Sequence, residues 1–147
     1  MLRIELLDWN EARERASELR FAVFVAEQGV PREIELDEYD ADCLHALAFS
    51  DEGTAIGTGR LLPAREEGGR RVSHIGRMAV RRDWRGCGAG AAILERLVEA
   101  ARARGDSCIE LSAQTHALGF YVAHDFEVLG EVYVEAGIEH RAMRRAL

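Results

Sequence analysis

The chain has 147 residues, 48% of them hydrophobic and 31% charged, the balance of a soluble globular protein long enough to bury a core without disulfide or metal staples. A net charge of −7 argues against nucleic acid as a partner. All 19 basic residues are arginine, which excludes any mechanism needing a lysine Schiff base or a lysine nucleophile.

In chain order, Leu2 to Leu7 alternates loosely and reads as a strand. Asp8 to Asn10 supplies turn and cap residues for a helix from about Glu11 through Phe24, and Pro31 stops any continuation. The acidic stretch Glu33 to Asp42 reads as a loop with apolar anchors at Ile34 and Leu36. Cys43–Ser50 and Thr54–Leu62 form a hairpin around Asp51-Glu52-Gly53. Pro63 to Gly69 reads as a flexible charged loop, and Arg71 to Val80 as the strand that pairs back. A long helix begins in the glycine cluster at Gly86–Gly90, with Ile93, Leu94, Leu97, Val98 and Ala101 on one apolar stripe and Gly105 at its end. A buried strand (Ser107 to Ala113), a short helix (Ala117 to His124) and a hairpin turning at Ala136-Gly137 complete the chain. Hairpins followed by a strand–helix–strand crossover imply a mixed α/β sheet. No repeat or linker interrupts it, so one domain spanning residues 1–147 is expected. No apolar run approaches the length of a membrane span, and the start lacks a signal pattern, which points to a cytoplasmic protein with no membrane partner.

The glycine cluster carries the chemistry. A strand, a glycine turn and a helix aim free backbone N–H groups and a positive helix end at an anion, most simply a phosphate. The nucleoside-triphosphate loop needs a lysine, which is absent. The dinucleotide pattern matches Gly86, Gly88 and Ala91, but five mostly polar residues separate it from its strand and too little chain follows Glu110 for the array it opens. The remaining template is R-x-x-G-x-G/A, present as Arg85-Gly86-Cys87-Gly88-Ala89-Gly90 after the strand Met78-Ala79-Val80. This segment resembles the acetyl-CoA-binding segment of the GNAT acyltransferases. Ala117-Leu118-Gly119-Phe120-Tyr121 resembles the same family's A-x-x-F-Y helix, although Asp125 stands where a glycine is usual. Val23-Phe24-Val25-Ala26-Glu27-Gln28, Leu111-Ser112-Ala113-Gln114 and the tail from Glu131 through Tyr133, Glu135, Gly137, Ile138 and His140 to Met143 narrow the likeness to the ElaA-like branch.

That resemblance implies a mostly antiparallel mixed sheet flanked by helices, with two central strands splayed apart to form an acetyl-CoA cleft. It also implies transfer of an acetyl group from acetyl-CoA to a primary amine by direct attack in a ternary complex. The acceptor would be a small-molecule or peptide amine; the sequence leaves its identity open and leaves room for a homodimer. Carried over, the resemblance assigns the coenzyme pyrophosphate to Arg85, Gly86, Cys87, Gly88, Ala89 and Gly90. The pantetheine amides fall to the main chain of Met78, Ala79 and Val80, a form of strand augmentation, and to Gln114 in place of an asparagine. Tyr121 would protonate the departing thiolate. Candidate bases are Glu27, favoured, with Glu33 and His74. No His or Cys spacing suits a metal, and Cys87 has no partner spacing for a nucleophile.

Charge is unevenly placed. Seven acids against Arg32 alone lie between Glu27 and Asp42, and four arginines against Asp83 between Arg77 and Arg85. A cationic acceptor and a polyphosphate coenzyme would suit these regions. The alternative to the enzyme is a noncatalytic acyl-CoA or peptide-binding module on the same fold.

Overall fold

The computed structural model describes residues 2–147. Strands β1 (Arg3–Leu7), β2 (Leu44–Phe49), β3 (Ala55–Leu61) and β5 (Arg70–Val80) lie side by side and antiparallel. Next comes β6 (Cys108–Gln114), parallel to β5, then β9 (Ile138–Ala146) and the short β7 (Glu127–Val128), both antiparallel. Two short strands extend the edges: β4 (Arg65–Glu67) pairs with β5, and β8 (Tyr133–Glu135) with β9. The stretch expected to be a flexible loop, Pro63 to Gly69, therefore contains a paired strand. The sheet is mixed and mostly antiparallel, as the family resemblance implied.

Helix α1 (Trp9–Arg20) starts at Asp8, whose Oδ1 accepts the Glu11 N–H at 2.9 Å. It buries Ala12, Ala16 and Leu19 against Leu47 and Phe49 of β2. The expected helix through Phe24 changes character at Phe21: residues Phe21–Glu27 form a π-helix, with the Gln28 N–H bonded to the Val23 carbonyl. That wider turn brings Val23, Phe24 and Gln28 onto the wall of one cleft.

Helix α3 (Ala89–Ala103) covers the other face of the sheet. The apolar stripe read from the sequence (Ile93, Leu94, Leu97, Val98, Ala101) is fully buried. Gly59 on β3 permits this approach: a β-carbon there would lie 2.5 Å from the Met78 sulfur and 3.0 Å from Ile93 Cγ2. Helix α4 (Leu118–Ala123) follows β6. Among the described residues no helix is long and apolar enough to cross a membrane.

The acidic stretch differs most from expectation. It holds a short helix, α2 (Arg32–Glu35), and a 3-10 turn at Asp40–Asp42. Ile34, expected as an anchor, is 52% exposed, whereas Glu35 and Asp40 are buried. Arginines from three other elements draw these acids inward.

Candidate active site

β5 and β6 pair only at Val72–His74 with Cys108–Glu110, and beyond that point they diverge. A bulge in β5 accompanies the divergence. Thr58 faces Ala79 but Arg60 faces Gly76, so Arg77 and Met78 oppose the single residue Gly59. Arg77 takes φ +52°, a left-handed conformation that costs a non-glycine residue about 1–2 kcal/mol. Its side chain is held by Glu35 Oε2 at 3.1 Å and Asp37 Oδ2 at 3.2 Å.

The divergence opens a cleft of about 960 Å³, lined by Met78, Ala79 and Val80 on the β5 side and by Leu111 and Gln114 on the β6 side. The Arg81 N–H bonds to Ile56 on the β3 side. Alternation back from it turns the N–H and C=O of Val80 and the C=O of Met78 toward the cleft, up to the bulge at Arg77 and Met78. Only the Val80 carbonyl is satisfied there, by Arg85 Nε at 3.0 Å. The remaining groups are sheet edges left open inside a concave site, which fits the amides of a pantetheine arm.

Arg85 lines the cleft and, just after it in the chain but outside that lining, Gly86 and Gly88 both take left-handed angles, φ 83° and 91°. Gly88 is the N-cap of α3 and offers no side chain to the first N–H groups of the helix. Nothing lies within 4 Å of the position a β-carbon would take at Gly86 or Gly88. The loop Gly86–Cys87–Gly88 is exposed, and Ala89 and Gly90 begin the helix behind it. These features suit a pyrophosphate.

Tyr121 of α4 lines the same cleft and is 8% exposed. Burial pushes its phenol up to about 12, so it keeps its proton at neutral pH. Its ring stacks edge-on with Phe120 and Phe126. His74, on β5 at the opposite end, also lines the cleft. Burial, with Arg60, holds its imidazole below the usual 6.5, so it is neutral at pH 7. Gln114 is brought to the cleft as expected but is engaged: it exchanges two amide hydrogen bonds with Gln28, at 2.9 and 3.1 Å, and its Oε1 lies 2.7 Å from His116 Nε2.

Two expected bases lie elsewhere. Glu27 pairs with Arg85 at 2.9 Å and Arg82 at 3.6 Å and is not part of the cleft lining. Glu33 is exposed and likewise outside it. Within the acidic stretch, Glu35, Asp37 and Asp40 are not free charges either, whereas Glu33, Glu38 and Asp42 stay exposed. Arg20, 1% exposed, binds Glu35 and Asp40 at 3.0 and 2.7 Å. Arg60 binds Asp37 and Asp40 at 2.7 and 2.8 Å. With Arg77 this makes three arginines against three acids, a network with no net charge. Burial raises the Asp37 and Asp40 carboxyls, but hydrogen bonds from Arg60 and Arg20 outweigh it and leave both lowered. For Glu35 burial wins, and its carboxyl is raised despite Arg77 and Arg20. Sequence reading missed this network because its arginines are scattered over α1, β3 and β5. The one available signal was a block of acids with no local counter-charge. Among the described residues, no group of three or more His, Cys, Asp or Glu side chains could hold a metal ion.

A sheet that opens between its one parallel pair among the described residues, with a glycine turn after β5 and a buried tyrosine in the gap, is the arrangement of an acyltransferase fold. Residues 12–147 match the family described as "Acetyltransferase (GNAT) domain", and the chain belongs to that family. It is 35% identical over 137 residues to YjcF of Bacillus subtilis, named as an uncharacterized N-acetyltransferase, covering 92% of this chain and 94% of that protein. Among solved structures, an acyl-CoA N-acyltransferase from Pseudomonas aeruginosa superposes with a TM-score of 0.84 at 33% identity, covering 99% of this chain and all of that one. Escherichia coli ElaA superposes at 0.83 with 28% identity, covering 99% of each chain.

Proposed function

We propose that the whole chain acts as one domain, in the cytoplasm, that transfers an acetyl group from acetyl-CoA to a primary amine by direct attack in a ternary complex. The observation that carries this is the divergence of β5 from β6, which leaves Met78, Ala79 and Val80 lining one cleft with Tyr121. In this reading the pantetheine amides bond to their backbone, and the pyrophosphate to the N–H groups of Gly86 to Gly90, with Arg85 beside it. Glu27 then serves to hold Arg85 rather than to take the amine's proton. His74 is the better base, being neutral and inside the cleft.

A free alkylamine near pKa 10.4 is almost entirely protonated at pH 7, so the attack needs a base or a desolvating site. Once neutral, the nitrogen bonds to the thioester carbon, the C–S bond breaks, and sulfur leaves as thiolate. A thiolate whose thiol has a pKa near 8.5 cannot fully deprotonate a phenol near 12, so Tyr121 assists first as a hydrogen-bond donor to the leaving sulfur. Amide-bond formation passes the amine's proton to His74 and the solvent. Thiol release from acetyl-CoA, measured against a panel of amines, tests the reading. Amine-dependent release supports it; a protein that binds acetyl-CoA and never releases thiol would be a binding module.

A further inference from the structure

Three carboxylates line the cleft: Glu35, Asp37 and Glu135. Glu35 is taken by Arg20 and Arg77, and Asp37 by Arg60 and Arg77. Glu135 has no ion-pair partner among the described residues. Its side chain is exposed, and its backbone is fixed by the turn that follows. The turn joining β8 to β9 sets Ala136 and Gly137 at φ 52° and 77°, two successive left-handed residues of a tight hairpin. Glu135 faces Ile138 across that turn, and Ile138 packs on Val23, Phe24, Val30 and Ala79. The hairpin tip thus reaches from β9 across the cleft to the π-helix and β5.

The surrounding wall mixes apolar and charged groups. Ile34 and Tyr39 line the cleft while 52% and 54% exposed, and Leu62 and Ile138 line it too. Four arginines, Arg60, Arg65, Arg77 and Arg85, also line it.

Resting on the amine-acetylation reading, we propose that Glu135 holds the acceptor's ammonium, and that the acceptor is a singly charged amine on an apolar body rather than a polycation. One free carboxylate answers one ammonium. A second cationic centre would meet acids already neutralised and arginines that repel it. The apolar body would cover Ile34 and Tyr39. Glu135 and His74 line the same cleft, so an ammonium held there shares it with the base.

Calorimetry on the CoA-saturated protein tests this directly, with 2-phenylethylamine, its neutral analogue 2-phenylethanol, and spermidine as probes. The amine should bind roughly fivefold or more tightly than either comparison compound, the discrimination a partly exposed ion pair supports. Glu135→Gln should remove that preference over the alcohol and leave CoA affinity unchanged. Ile34→Ser with Tyr39→Ser should weaken both phenylethyl compounds alike. Spermidine binding as tightly as the amine, no amine binding at all, or an unaltered preference in Glu135→Gln would each overturn the assignment. Amine that binds as described but is never acetylated would instead refute the transferase reading and leave the recognition site standing.

Discussion

Tyr121 keeps its proton because burial disfavours the phenolate, and that sets its part in the reaction. Phenylalanine preserves the ring contacts with Phe120 and Phe126 and removes only the hydroxyl. Tyr121→Phe should therefore lower kcat by about tenfold or more, with acetyl-CoA affinity kept. Full turnover in the folded variant, with chemistry rate-limiting, would make Tyr121 a packing residue. At Gly88 the backbone angle of 91° and the open space beside Cα work together. Valine there would be strained and would fill the approach to the first N–H groups of α3. Acetyl-CoA affinity should drop tenfold or more, about 1.4 kcal/mol. A Gly88→Val protein with an unchanged melting temperature and unchanged affinity would contradict the pyrophosphate assignment.

Among the elements, the buried charge network joins α1, the acidic stretch, β3 and β5. Removing Arg20 leaves Glu35 and Asp40 short of a guanidinium in a dry site, so Arg20→Met should cost about 3–5 kcal/mol in urea unfolding. A loss below about 1 kcal/mol would mean the network relaxes or admits water. Element by element, the sequence and the structure agree wherever one periodicity dominates. The stripe of α3 and the glycine turn before it were readable because an apolar 3.6-residue repeat and clustered glycines each have a single physical solution. The π-helix was not, since a switch from α to π changes hydrogen bonding without changing composition. The arginine partners of Glu27, Glu35, Asp37 and Asp40 were missed for a related reason. Charge counted along the chain cannot show which arginines, 15 to 58 residues away, return to neutralise it. Tyr121 and Met78–Val80 reached the cleft as the family pattern implied; Glu135 lay inside that pattern with nothing in the spacing to single it out.

For the molecule as a whole, acid should act on stability through His74. Burial, Arg60 and Arg65 lower its pKa, while Glu110 and Glu135 pull the other way and lose. The unfolded chain binds a proton near 6.5 that the folded protein resists, so this contribution is full above that pH and declines as pH falls through it. The stability of the wild type relative to His74→Gln should therefore fall between about pH 7.5 and 5.5. A difference that stays constant or grows on acidification would place His74 in a solvated setting. The central claim is direct transfer in the cleft between β5 and β6, and rapid-quench single turnover with radiolabelled acetyl-CoA tests it most directly. With a primary amine present, label should pass from coenzyme to amine without ever accumulating on the protein, and without amine it should stay on the coenzyme. Label bound covalently to the protein before it reaches the amine, or no transfer to any amine, would contradict it.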